Sequence, residues 1–247
     1  MQKIKTGLSI AMMLLFTTSF AQTTTVVRHF DKVIVSPHIE VTFVEGNEES
    51  VSVEKCTVPT EDLNITVRNG TLRLYLNGAK DVEKNEITWE NGYKHKVPLY
   101  KGTIVKATVT YKTLDNLSIR GDETQICKSP LKADRFRLRI YGDSRVYLNE
   151  VDFGELQATL YGESLLELKA GSVADQKYTV YGESKVNTLG INGNTSKITA
   201  YGEADFRINV TDEIKITAFG EASLAYTGNP RINKWLHFGE MKVSKLD

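Results

Sequence analysis

The chain writes nearly the same four residues five times: Tyr141-Gly142-Asp143-Ser144, Tyr161-Gly162-Glu163-Ser164, Tyr181-Gly182-Glu183-Ser184, Tyr201-Gly202-Glu203-Ala204 and Phe219-Gly220-Glu221-Ala222. Their glycines are spaced 20, 20, 20 and 18 residues apart. Degenerate copies flank the run. Arg120-Gly121-Asp122-Glu123 stands 21 residues before Gly142, and Phe238-Gly239-Glu240-Met241 stands 19 after Gly220. A nearly constant period marks a repeat architecture, in which each unit buries its apolar face only against its neighbours.

Periodicity inside the unit decides between a helical and an all-β repeat. Counted from the glycine, even offsets are apolar or small: Ile140, Leu160 and Val180 at minus two, Ser144, Ser164 and Ala204 at plus two, Val146, Leu166 and Phe206 at plus four. Odd offsets are polar, as with Arg139, Thr159, Thr179, Thr199 and Thr217 at minus three. Period-two alternation is that of a half-buried strand. The expected fold class is all-β: a right-handed, single-stranded parallel β-helix (a solenoid with coils of about 20 residues) carrying an N-terminal antiparallel β cap. Right-handedness follows the general preference of parallel crossover connections. The glycine is expected at an inward corner, where a close backbone leaves no room for a side chain.

Upstream of the repeat, Ile39 to Val44 and Leu63 to Val67 also alternate, and Asn69-Gly70 before Thr71–Leu76 is a hairpin turn signal. Residues 77–96 are polar and read as a surface excursion around Asn91-Gly92. The expected division is a signal peptide at 1–21, a β-rich cap at 22–112 and the solenoid of Gly-(Asp/Glu)-(Ser/Ala) coils at 113–247, with 22–247 forming one continuous domain.

Lys3 and Lys5, an apolar run from Leu8 to Phe16 and small residues up to Ala21 make the first 21 residues an export signal too short to span a bilayer. No cysteine follows that run, so a lipid anchor is not expected. The expected location is the periplasm or the cell surface and outer envelope of a Gram-negative bacterium, with no transmembrane segment after signal removal.

The whole chain carries 31 basic and 31 acidic residues; removing Lys3 and Lys5 with the signal leaves 29 against 31, a net of −2. Near-neutrality without a basic cluster argues against nucleic acid as a partner. Cys56 and Cys127 either pair, since export permits a disulfide, or stay as free thiols. No Cys/His spacing resembles a metal site, and no cofactor is implied. The histidines, His29, His38, His95 and His237, fall outside the regular repeats, and no nucleophile elbow or phosphate loop is present. Catalytic residues: none.

These features together resemble one family. An export signal, the segment Val27-Arg28-His29-Phe30-Asp31-Lys32-Val33-Ile34-Val35, an Asn-Gly hairpin, a strand into Leu114-Asp115-Asn116-Leu117-Ser118-Ile119 and the Gly-acid-small ladder are similar to the auto-transporter adhesin head GIN domain family. The resemblance implies a single-stranded right-handed β-helix and an adhesion role, and it brings no catalytic residues. The chain departs from the family by placing Tyr or Phe before the glycine and an acid after it in most copies.

Odd offsets beside the glycine are expected to face outward. Tyr141, Tyr161, Tyr181, Tyr201 and Phe219 then form an aromatic ladder, with Asp143, Glu163, Glu183, Glu203 and Glu221 parallel to it. Such a stripe suits a glycan, a protein ligand or a second copy of the chain. Equally, the rings cover one another and merely stabilise the stack. Neighbouring acids invite calcium, though solvated acids at a turn account for them more simply. Arg120-Gly121-Asp122 spells an adhesion-type tripeptide, but the repeat register already dictates its last two letters. The function expected is a non-catalytic binding or adhesion module. The alternatives are a self-associating envelope protein, a periplasmic carbohydrate binder and, least favoured, a glycan-acting enzyme.

Overall fold

The computed structural model describes residues 23–90 and 93–247. The export signal and the Asn91-Gly92 turn expected from the sequence lie outside them. The strands of the N-terminal part are β1 (Thr23–Val26), β2 (Lys32–Val35), β3 (Ile39–Glu45), β4 (Ser50–Cys56), β5 (Leu63–Arg68), β6 (Thr71–Leu76), β7 (Asn85–Glu90), β8 (Tyr93–Pro98) and β9 (Val105–Tyr111). The repeat region follows with β10 (Asn116–Arg120), β11 (Thr124–Cys127), β12 (Leu131–Tyr141), β13 (Arg145–Leu148), β14 (Val151–Tyr161) and β15 (Leu165–Leu168). It closes with β16 (Gly171–Thr188), β17 (Ile191–Asn209), β18 (Glu213–Thr227), β19 (Arg231–Phe238) and β20 (Met241–Lys245).

From β10 onward each coil pairs in parallel with the next, in a register that places repeat on repeat. Tyr141 lies on Tyr161, Tyr161 on Tyr181, Tyr181 on Tyr201 and Tyr201 on Phe219. The fold is a parallel β-solenoid. Even offsets line its core in columns. In one column Leu117, Leu138, Ala158, Tyr178, Ile198 and Ile216 follow one another, all buried. Small Ala158 sits beside large Tyr178, which keeps the column full without overpacking.

The glycine corner differs in direction from the expectation. Gly142, Gly162 and Gly182 are only half-buried and have φ of 97°, 103° and 110°. A Cβ on Gly162 would meet the carbonyl oxygen of Gly142 at 2.7 Å, and one on Gly182 would meet that of Gly162 at 2.9 Å. The excluded side chain thus points along the stack at the preceding coil, not into the core. Glycine is required by both φ and contact. The serine two positions on faces inward instead. Ser144, Ser164 and Ser184 are buried, and their hydroxyls donate to the carbonyls of Gly121, Gly142 and Gly162 at 2.6, 2.8 and 3.0 Å. In the early coils the strand breaks at this corner, and the hydroxyl occupies the acceptor that the ladder leaves over. β16, which still carries Ser184, runs unbroken through the corner, and the parallel pairing of β16, β17 and β18 continues there through Ala204 and Ala222.

The N-terminal part is less antiparallel than expected. β2 lies between β10 and β6, and β3 between β11 and β9, all in parallel pairs. Val33 therefore stacks on Leu117 and Leu72 as a further coil would. Among the described strands, antiparallel pairing joins β4 to β9, β1 to β4, β5 to β6 and β7 to β8. No 20-residue period reveals the parallel stacking, because strands adjacent in space here are not successive in the chain. Asn69 and Gly70 take φ of 49° and 70°, the pair of positive values that a two-residue hairpin of matching twist needs.

Cys56 and Cys127 are free, so the disulfide left open by the sequence does not form. Cys127 is on β11 and Cys56 on β4, with β3 and β9 between them. Three strand spacings come to roughly 14 Å at 4.8 Å each, about twice the Cα separation a disulfide bridges. Burial pushes the Cys127 thiol up to about 11, and the Tyr111 hydroxyl lies 3.4 Å from its Sγ.

Two outcomes follow from this packing. Gly162→Ala lowers the free energy of unfolding by about 1–3 kcal/mol, through strain and the carbonyl contact together, read as a shift of the urea midpoint. Alkylation of the denatured, unreduced chain labels two cysteines; labelling of none would contradict the pairing described.

Candidate functional site

The aromatic side chains expected at offset minus one stack face to face. Ring centroids lie 5.0 Å apart for Tyr141–Tyr161, 4.8 Å for Tyr161–Tyr181, 5.0 Å for Tyr181–Tyr201 and 5.1 Å for Tyr201–Phe219, with planes within 5°. These distances are the strand spacing itself, so the register of the sheet sets the stack. Phe238 extends it at 5.8 Å, and the Arg120 guanidinium covers the free face of Tyr141 at 5.5 Å. Tyr161, Tyr181 and Tyr201 keep about two-fifths of their surface exposed, and that surface is ring edge and hydroxyl. Face stacking by a sugar ring is therefore closed to the inner members of the ladder.

The acids two positions on are arranged differently. Glu163, Glu183, Glu203, Glu221 and Glu240 form one wall of an open groove of about 610 Å³ that runs across successive coils. Ser164, Ser184, Ala204 and Ala222 form its floor, and Arg145, Lys185, Asp205 and Lys242 stand on the opposite wall. Small residues at offset plus two keep the floor of the groove low. None of the ladder rings lines it. The sequence placed acids and aromatics on one face, with the acids as a rim. The structure separates them, aromatic edges on one side of the glycine corner and the acid-walled groove on the other. Asp143 lies at the same offset in the first full repeat, outside the groove, where its backbone N–H faces Asp122.

A second cluster at the same row of corners was not anticipated. Glu123 occupies the register position that holds Ser144 in the next coil, and it is buried. His38, at φ 70°, brings Nδ1 to 4.0 Å from Glu123 and 2.8 Å from the Gly102 carbonyl, while its Nε2 lies 3.4 Å from Glu83. Tyr100 packs on the imidazole at 5.6 Å. Burial raises the Glu123 carboxyl above its ordinary value, partly offset by His38. The legible signal was a carboxylate where the repeat calls for serine or alanine. Beside it, Asp81 receives Arg73 at 2.6 Å and also Arg120, and Arg73 leads in holding its carboxyl below the usual range. The Arg120-Gly121-Asp122 tripeptide thus has its arginine committed to Asp81 and Tyr141.

Among the described residues no group of three or more His, Cys, Asp or Glu side chains is gathered to hold a metal ion, and no helix is long and apolar enough to cross a membrane.

The family model described as "Putative auto-transporter adhesin, head GIN domain" matches residues 29–230. Among solved structures, a "putative adhesin" from Bacteroides fragilis superposes with a TM-score of 0.72 at 16% identity, over 91% of this chain and 96% of that one. A "putative adhesin" from Parabacteroides merdae gives 0.66 at 17% identity, over 92% and 96%. A "putative lipid binding protein" from Parabacteroides distasonis gives 0.65 at 16%, over 93% and 98%. At these identities the likeness is one of fold. No curated protein matches the chain in sequence.

The buried carboxyl carries a pH signature. A group with a raised folded value binds a proton more tightly in the folded state. Stability therefore falls as pH rises from the unfolded value of about 4.5 through the raised folded value, then levels off. Glu123→Gln flattens that window when the urea midpoint is followed against pH; an unchanged profile would mean that Glu123 does not titrate in place.

Proposed function

The chain belongs to the auto-transporter adhesin head GIN domain family, and from that premise we propose that it is an exported, non-catalytic adhesion module. It holds an extended glycan along its acid-walled groove, at the cell surface or in the outer envelope. The observation that carries this reading is the groove's periodicity. Glu163, Glu183, Glu203 and Glu221 repeat coil by coil on one wall, with Arg145, Lys185, Asp205 and Lys242 facing them. A row of subsites at the strand spacing fits a ligand that is itself extended and repetitive. Carboxylates accept hydrogen bonds and ammonium and guanidinium groups donate them, which matches the hydroxyls of a sugar chain. The aromatic ladder serves that groove as a stiffener, since its ring faces are spent on one another. Each stacked pair contributes about 0.5–1.5 kcal/mol beyond the area it buries.

The competing reading, a self-associating envelope protein, meets resistance at the exposed end of the solenoid. In the last coil Lys234 and His237 take the register positions of buried Ile216 and Ala218, and a bulge interrupts the pairing between them. A lysine in core-facing register and a bulged edge are devices that keep an edge strand from accepting another.

Residues 22–247 applied to a glycan and matrix-protein array test the proposal, with Glu183→Gln/Glu203→Gln and Tyr161→Ser/Tyr181→Ser variants alongside. A specific glycan signal is expected, falling at least about tenfold in the glutamine pair, as for lost hydrogen bonds to charged groups. The serine pair is expected to melt earlier yet bind normally while folded. Silence from the wild-type chain across glycans would overturn the reading; a signal confined to matrix proteins would move it to a polypeptide ligand, and sugar released during incubation would make it an enzyme.

A further inference from the structure

The excursion at residues 77–104 sits at the row of glycine corners, between β6 and β9, and sends out β7 and β8 as a hairpin that forms a two-stranded sheet of its own among the described residues. Its register sets Ile87 opposite Lys96 and Trp89 opposite Lys94. Directly opposed residues of an antiparallel pair share a face, as do residues two apart on one strand. One face therefore carries Ile87, Trp89, Lys94 and Lys96, while Glu86, Thr88, His95 and Tyr93 belong to the other. Ile87 is 60% exposed and Trp89 66%, and Val82 at the base is 80% exposed. The Lys94 ammonium lies 5.2 Å from the Trp89 ring centroid. This face sets an apolar pair in water, flanked by two cations and no acid of its own, on a molecule whose net charge is near zero.

The root of the hairpin, by contrast, is tied down. Asp81 is held by Arg73 and Arg120, the Tyr100 hydroxyl donates to the Asn77 carbonyl at 2.8 Å, and Glu83 accepts from the Tyr100 backbone N–H at 2.6 Å. A stiff base with an amphipathic outer face costs little conformational entropy to dock.

We propose that the Ile87–Trp89–Lys94–Lys96 face docks the protein on an anionic lipid surface. Tryptophan is suited to the headgroup level, where its ring is half in hydrocarbon and its N–H remains wet, and isoleucine adds apolar area below it. Lysine stems lie along that boundary while their ammonium groups meet anionic headgroups. A folded protein partner fits less well, because it would engage roughly 20–30 residues a side, whereas a bilayer accepts a few isolated anchors. The proposal is independent of the groove, which lies along the later coils.

Residues 22–247 are the right material, because the apolar run Leu8–Phe16 would insert by itself. In a Trp235→Phe background, Trp89 is the remaining tryptophan and its emission reports the face directly. With phosphatidylcholine vesicles containing phosphatidylglycerol, the emission moves to the blue and the protein floats with the vesicles. With phosphatidylcholine alone, or with heparin, it does neither. Lys94→Ser/Lys96→Ser lowers partitioning about thirtyfold, from about 1 kcal/mol for each lysine at an anionic surface, and Trp89→Ser abolishes flotation in the Trp235-containing chain. Both variants melt as the parent does, since no core residue changes. Failure to float on anionic vesicles, or flotation indifferent to both variants, overturns the proposal. An equal response to heparin overturns it too, and makes the face a site for soluble polyanions.

Discussion

Everything in this molecule depends on the parallel register that lays each glycine corner directly on the one before it. A positive φ near 100° at Gly142, Gly162 and Gly182 turns the chain, and the carbonyl of the preceding corner occupies the space a side chain would need. Once that contact repeats, every offset around it repeats as well. Like residues stack on like: tyrosine on tyrosine, threonine on threonine, glutamate on glutamate. The core columns, the aromatic ladder and the acid wall are three consequences of one constraint.

The same constraint brings benefit and cost to neighbouring positions. Rings at the strand spacing meet face to face at van der Waals distance and gain dispersion along the whole ladder. Carboxylates at that spacing repel, by about 1 kcal/mol for unit charges 4 Å apart in water and less in salt. Lys242 offsets part of the repulsion, closing on Glu240 at 3.0 Å, and Arg145 and Lys185 line the same groove together with Asp205.

The two ends of the stack are treated differently. At the C-terminal end, charge in core-facing register and a bulge terminate the sheet. At the other end the chain folds back out of order, so that β2 and β3 insert between the repeats and an outer layer made by β6 and β9. There the corner row gives up its serine for Glu123 and its tyrosine for Arg120, and these charges hold His38, Asp81 and the excursion that carries the hairpin.

The repeat, the strand periodicity, the outward ladder positions and the Asn69-Gly70 turn were all readable in the chain, because each is a local rule copied at a fixed interval. Stacking on nearest neighbours then converts period into fold, which is why the solenoid and its core columns followed from offsets alone. The parallel role of β2, β3, β6 and β9 was not readable, since their partners lie at unequal distances along the chain and leave no period behind. Nor was the direction of the glycine contact, the separation of acids from aromatics across the corner, or the distance between Cys56 and Cys127. Alternation fixes whether a side chain faces in or out, but the angle of the corner decides which outward side chains share a wall. That angle comes from backbone dihedrals and carbonyl contacts between coils, and these exist only once the coils are stacked.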